Sequence, residues 1–222
     1  MAAYLANVGV NSAHAARSPL FDDGRFQLVP IPEHAAWRPP MLRFGDLQDV
    51  AGHTPAGWRS RAVHLDPDLG GPTPTYGDNC RLAGRAFSLR RAENGDLIAF
   101  MARLHSPKGP PAFHLVGCLV VDDVLSDVTS DPGPGWWDAN AHVRRARAAG
   151  EWNSFWVFKG GCGSRLFERA VPFARADAQD VFGDTWWWRA NRTELQTIGS
   201  YTRAVRRLDG AGEAWLRKIC LS

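Results

Sequence analysis

The sequence predicts an α+β fold, and three observations predict it. Two apolar segments, GDLIAFMARL (95–104) and FHLVGCLVV (113–121), have the composition of paired strands. A stretch of near-helical spacing begins at Asn191, a good N-cap with Glu194 three residues on. Between them the chain alternates short strand-like runs with Pro- and Gly-rich breakers, and its 222 residues suit one domain spanning 1–222. The Pro/Gly stretch at 131–135 is the only candidate boundary.

Residues 4–10 (YLANVGV) read as a first strand, ended by NSAH. A turn at Asp22-Asp23-Gly24 leads into a short strand at 26–31, closed by two prolines. Residues 34–80 read as a long loop, at most with a short element at 41–44. Trp37, Trp58 and Tyr76 argue that it is partly packed, and a loop of this length in a compact domain is functional or disordered. The hairpin follows, its strands at 97–104 and 113–124. The near-continuous apolar run at 115–121 predicts a strand covered on both faces. After the breaker DPGPG, residues 136–150 read as a short helix ending at Gly150. NSFWVFKGG (153–161) is a further strand, and 164–174 fits either a strand or a helical turn. Leu195, Ile198, Val205 and Leu208 share one helical face, which Asp209-Gly210 stops. GEAWLRKICLS forms a short helix or tail.

No window approaches eighteen apolar residues, so no membrane span is expected. The N-terminus has neither a basic region nor a long apolar run, which argues against a signal peptide. Cys80, Cys118, Cys162 and Cys220 form no CxxC pair, in keeping with a reduced cytoplasmic chain. Charge is uneven. Residues 1–139 carry 12 basic and 15 acidic side chains, residues 140–222 carry 14 and 8. Such a basic half can face nucleic acid. Arginine outnumbers lysine 23 to 3, however, which compositional bias alone produces.

Candidate chemistry is scattered. No two of the seven histidines stand at ligand spacing such as HxxxH, so no metal is assigned. In GGCGSR, Ser164 and Arg165 follow a Gly-rich turn with Lys159 before it, which reads as an anion cradle or as a plain tight turn. Asn7, Asn11, His14, Arg17 and Ser18 cluster after the first strand, where both site residues and capping residues are found. Glu33 and Asp78, with Tyr76 nearby, could serve as acid and base if they met in space. Arg144, Arg145 and Arg147 beside Trp136 and Trp137 suit phosphate contact and base stacking, or form a solvated helix face over core tryptophans. Trp156, or a member of the Trp186-Trp187-Trp188 run, could stack a base.

Two resemblances add to this reading. The hairpin, with its GD turn and VG-C-VV strand, resembles the core of PUA-like domains of the ASCH and EVE groups. That implies a small β-barrel or a strongly curved mixed sheet, with flanking helices and a long loop. The ordered set LANVGVNSAHAARSPLFDDGRFQLVPIPE, TYGDN, FWVFKG and SRLFERAVPF resembles the bacterial family of nucleotide modification associated domains, third class, over roughly 4–205. It implies a DNA-modification context and a nucleotide or nucleic-acid partner, but carries over no catalytic residue and no cofactor. On this reading the chain binds a modified base or nucleotide through Asn7, Asn11, Arg17, Ser18, Tyr76, Trp156, Ser164, Arg165 and Trp186, with Arg144, Arg145 and Arg147 on phosphates. The alternative is an enzyme of transferase or hydrolase type using His14, Glu33, Asp78 and Lys159. A third reading is a structural protein whose tryptophans are core.

Overall fold

The computed structural model describes residues 1–33, 42–82, 84–183 and 188–222. Its centre is the hairpin. Strand β6 (Leu97–His105) pairs antiparallel with β7 (Ala112–Val128), whose seventeen residues exceed the predicted strand. β1 (Ala3–Asn7) lies parallel to β6, and β10 (Arg206–Leu208) closes that edge antiparallel to β1. β2 (Ser18–Pro19) also runs parallel along β6. On its other side, β7 pairs first with β9 (Arg165–Pro172) and then, past a bulge, with β8 (Phe155–Gly160). β8 in turn carries β5 (Thr75–Asp78). The order β10-β1-β6-β7-β8-β5 is an open, mixed eight-stranded sheet with β2 and β9 off the path. The mixed sheet was expected. The PUA-like barrel was not found, because the strands at the two ends, β10 and β5, do not pair with each other.

Alternation along β6 explains the layers. Leu97, Ala99 and Met101 face one side, joined by Ala3, Leu5, Leu115 and Cys118. Three helices cover that side: α3 (Arg175–Phe182), α4 (Glu194–Tyr201) and α5 (Gly210–Leu221), through Phe182, Ile198 and Leu216. Ile98, Phe100 and Ala102 face the other side with Tyr4, Val116, Leu119, Tyr76, Trp156 and Phe158. The central strands are thus buried on both faces.

Several expected boundaries shift. Within the 34–80 segment the described residues, 42–80, are more structured than a loop, while Trp37 lies outside the described residues. The segment holds α1 (Gln48–Ala51) and β4 (Val63–His64), the latter paired with β3 (Ile31–Pro32), and a local core where Phe44 meets Trp58 at 5.1 Å. α2 is Ala141–Ala149, capped by Asn140 and ended by Gly150 in the left-handed region (φ 72°). The last helical pattern splits. Thr193, not Asn191, caps α4, and the helix ends at Thr202, where Arg206 Nε donates to the Tyr201 carbonyl. Val205 lies beyond the helix and Leu208 belongs to β10, because the free edge of β1 recruits this segment as a strand. Asp209-Gly210 starts α5 rather than stopping a helix. Among the described residues no helix is long and apolar enough to cross a membrane.

Candidate functional site

Three segments far apart in sequence meet at the outer end of β5. Glu33 follows β3, His64 ends β4, Asp66 lies two residues on, and His142 sits in the first turn of α2. The α2 cap holds the last of these. Asn140 Oδ1 accepts the His142 backbone N–H (2.9 Å), while Asn140 Nδ2 donates to Thr75 Oγ1 on β5 (3.2 Å). α2 is thereby pinned against the strand at Gly77. A Cβ there would stand 2.7 Å from His142 Cδ2, so only glycine admits the ring this close. The Gly77 N–H also reaches both Asp66 carboxylate oxygens at 2.9 Å.

The side chains form a connected chain of contacts. Glu33 Oε1 lies 2.8 Å from His64 Nδ1, and His64 Nε2 lies 3.8 Å from Asp66 Oδ2. Asp66 Oδ2 is 3.2 Å from His142 Nε2. The two imidazoles meet edge to face, 4.7 Å apart. The Asp66 side chain is 2% exposed, so its charge is almost wholly removed from water. Burial raises its carboxyl to about 8 despite the pull of His64 and the Gly77 N–H. Burial, with the nearby His64 and Arg145, holds His142 well below the ordinary histidine value and therefore neutral. Burial works to raise Glu33, but the hydrogen bond and charge of His64 prevail and hold it below the usual carboxylate range. An ionised carboxylate only accepts, so His64 Nδ1 is the donor to Glu33. His64, Asp66 and His142 also have the ligand chemistry of a metal site, with ligand atoms all within 4.8 Å of one another.

These residues floor a cavity of about 270 Å³, which Asp78, Tyr76, Asn7, Arg85 and Arg145 also line. Asp78 is buried and held in place. Tyr76 Oη donates to its Oδ2 (3.0 Å), the Asn79 N–H to its Oδ1 (2.8 Å), and Arg85 stands 3.6 Å from Oδ1. Burial, then the Asp78 charge, pushes the Tyr76 phenol well above its ordinary value, so it stays a donor. A second cavity of about 600 Å³ shares Asn7, Val8, Gly9, Ile31 and Arg85 with the first, and adds Arg103, Arg203, Phe113 and Gln196. Among the described residues the buried Arg103 Nε finds no hydrogen-bond partner. Burial and the like charge of Arg17 both lower its pKa, which marks a cation short of counter-charge.

The structure thus brings together Asn7, Glu33, Tyr76, Asp78 and Arg145 of the candidates, and places Asn11 on the second cavity. The others lie elsewhere or do structural work. His14 Nδ1 accepts the Asn11 N–H, and Arg17 donates to the carbonyls of His14 and Ala16. Ser18 is buried, its Oγ taking the Val29 N–H. Lys159 pairs with Asp122 at 2.6 Å, Ser164 Oγ accepts the Val120 N–H, and Arg165 donates to the Ser222 carbonyl. The GGCGSR turn is thereby a tight turn whose flanking cations are engaged elsewhere. Trp156 is 6% exposed and has no free face for stacking. Arg147 is held by Asp131 and Asp138. Arg144 is half-buried on α2 and lines neither cavity. Trp186 lies outside the described residues. His64, Asp66, His142 and Arg103 escaped sequence reasoning, although His64-Leu65-Asp66 carries a signal. Residues two apart in extended chain share a side.

The family profile of nucleotide modification associated domain 3 matches residues 3–212, nearly the whole chain. The chain belongs to this family. Membership in the nucleotide modification associated domain 3 family links it to nucleotide modification. No curated protein and no solved structure matches it.

Proposed function

We propose that the chain is an enzyme of nucleotide modification. A phosphate of its substrate lies in the arginine-lined cleft, and the reacting group enters the smaller cavity. One observation carries this reading. Glu33, His64, Asp66, Asp78 and His142, five ionisable side chains, converge on one small cavity that opens into a cationic cleft. A site that only reads a base needs an apolar slot and a few hydrogen bonds. Burying three carboxylates in it costs folding energy and repels an anionic ligand, an arrangement that suits chemistry better than recognition. Asp78, oriented by Tyr76 and Asn79, is the group placed to move a proton on the substrate. Arg103, Arg203 and Arg85 fit phosphate oxygens, and Phe113 offers an apolar wall.

The test is direct. The purified chain is incubated with nucleoside mono-, di- and triphosphates, and with oligonucleotides carrying plain and modified bases, and products are read by mass spectrometry. One class of substrate should change mass. D78N should abolish the change while binding stays within a few-fold. R103A should weaken binding at low salt about ten- to hundred-fold, the cost of losing one charged hydrogen bond. Tight binding with no conversion of any ligand would replace the enzyme with a reader. Absence of binding at low salt, where electrostatic affinity is greatest, would remove both readings.

A further inference from the structure

We infer that His64, Asp66 and His142 form a binding site for one divalent transition-metal ion. The inference deepens the enzymatic reading and rests on it only for what the ion would do. The site itself stands on ligand geometry.

Orientation supplies the first argument. His64 Nδ1 lies 2.8 Å from Glu33 Oε1, which leaves Nε2 aimed at Asp66 Oδ2, 3.8 Å away. That gap is too long for a direct hydrogen bond and borders the cavity. The nearby guanidinium of Arg85 stands on Asp78.

The second argument is distance. On a tetrahedral zinc ion with bonds of about 2.0–2.1 Å, neighbouring ligand atoms stand about 3.3 Å apart. His142 Nε2 and His64 Nε2 lie 3.2 and 3.8 Å from Asp66 Oδ2, close to that spacing, and all three ligand atoms stand within 4.8 Å of one another. The supports of the ligands are already built. Glu33 orients His64 as a carboxylate does behind a ligating imidazole. Asp66 is held by the Gly77 N–H, and the His142 ring is clamped between His64, Phe155 and the bare face of Gly77. Among the described residues nothing bonds His142 Nδ1, so the ring is not locked in one tautomer and its Nε2 faces Asp66.

Two imidazoles and one carboxylate select zinc, iron or manganese over magnesium and calcium, which prefer oxygen throughout. Three protein ligands leave open positions, and the ligands line the cavity that Asp78 shares. A water or a substrate oxygen would complete the shell there, beside the group assigned to proton transfer.

The test needs no nucleotide. The full chain, stripped with a chelator, is titrated calorimetrically with zinc, manganese and, without oxygen, ferrous iron. Bound metal is counted by mass spectrometry, and cobalt absorption reports the ligand field. We expect one ion per chain. D66N and H142A should lose it, E33Q should weaken it about ten- to hundred-fold, and H105A, which removes an unrelated histidine, should not change it. Circular dichroism identifies any variant that fails to fold, and E33Q with its graded loss then carries the comparison. Stoichiometric binding absent from the wild type would overturn the inference. So would D66N and H142A binding as the wild type does. A metal-loaded chain that converts no nucleotide overturns the enzymatic reading instead.

Discussion

At the residue scale, one missing methyl group positions the site. Gly77 sits where a Cβ would meet His142 Cδ2 at 2.7 Å, Asn140 Oδ1 at 3.0 Å and Asp66 Oδ2 at 3.2 Å. The His142 ring cannot yield, because Phe155 stands 5.5 Å from it on one side and His64 4.7 Å on another. G77A should therefore push β5 from α2, at a cost of about 1–3 kcal/mol as in other overpacked cores. A lowered denaturant midpoint would show it, and metal affinity should fall in parallel. Unchanged stability would mean that α2 slides freely over β5 and that the site is not rigid. Half of this arrangement was legible in the sequence. TYGDN drew attention to Tyr76 and Asp78, and PIPE to Glu33. His142 was not legible, since 76 residues separate it from Asp66 and only the fold joins them. The basic neighbours Arg144 and Arg145 drew the eye past it.

At the element scale, α4 links core and cleft. Its cap is a reciprocal box, with Gln196 N–H on Thr193 Oγ1 (3.2 Å) and Thr193 N–H on Gln196 Oε1 (3.1 Å). Its last turn receives Asn7, whose Nδ2 donates to both the carbonyl and the hydroxyl of Thr202 at 2.9 Å. Leu195, Gln196 and Gly199 line the larger cavity. T193A should cost about 1 kcal/mol of stability and weaken nucleotide binding, while metal affinity stays as it was. Equal losses of both would show that the two cavities are not separable parts of the site. The hairpin was readable because a long apolar run has few alternatives. The end of α4 was not, because Val205 and Leu208 continue a helical period by coincidence, and the pairing of β10 with β1 outweighs it. The start was misplaced by two residues: Thr193 with Gln196, not Asn191 with Glu194, forms the capping box and puts Thr197 and Ile198 on the buried face.

At the scale of the whole molecule, charge read along the chain misleads because charges pair in space. The basic surplus of residues 140–222 goes largely into staples. Arg147 clasps Asp131 and Asp138, Arg217 binds Glu213 and the Gly95 carbonyl, and Arg206 closes α4. The cleft instead draws Arg85 and Arg103 from the acidic half and Arg203 from the basic one. The metal ligands are distributed the same way, on β4, the turn after it and α2, so they meet only in the folded chain. An ion held there binds the native state and not the unfolded one, and mass action must raise stability. At a hundred times its dissociation constant the gain is about 2.7 kcal/mol. For a chain of this size each kcal/mol moves the midpoint by about 2–4 °C, so zinc should raise Tm by about 5–11 °C. A chelator should reverse the rise, and D66N should show none of it. A rise of equal size in D66N would place the ion on surface carboxylates, since exposed acidic groups bind metals without any dependence on Asp66.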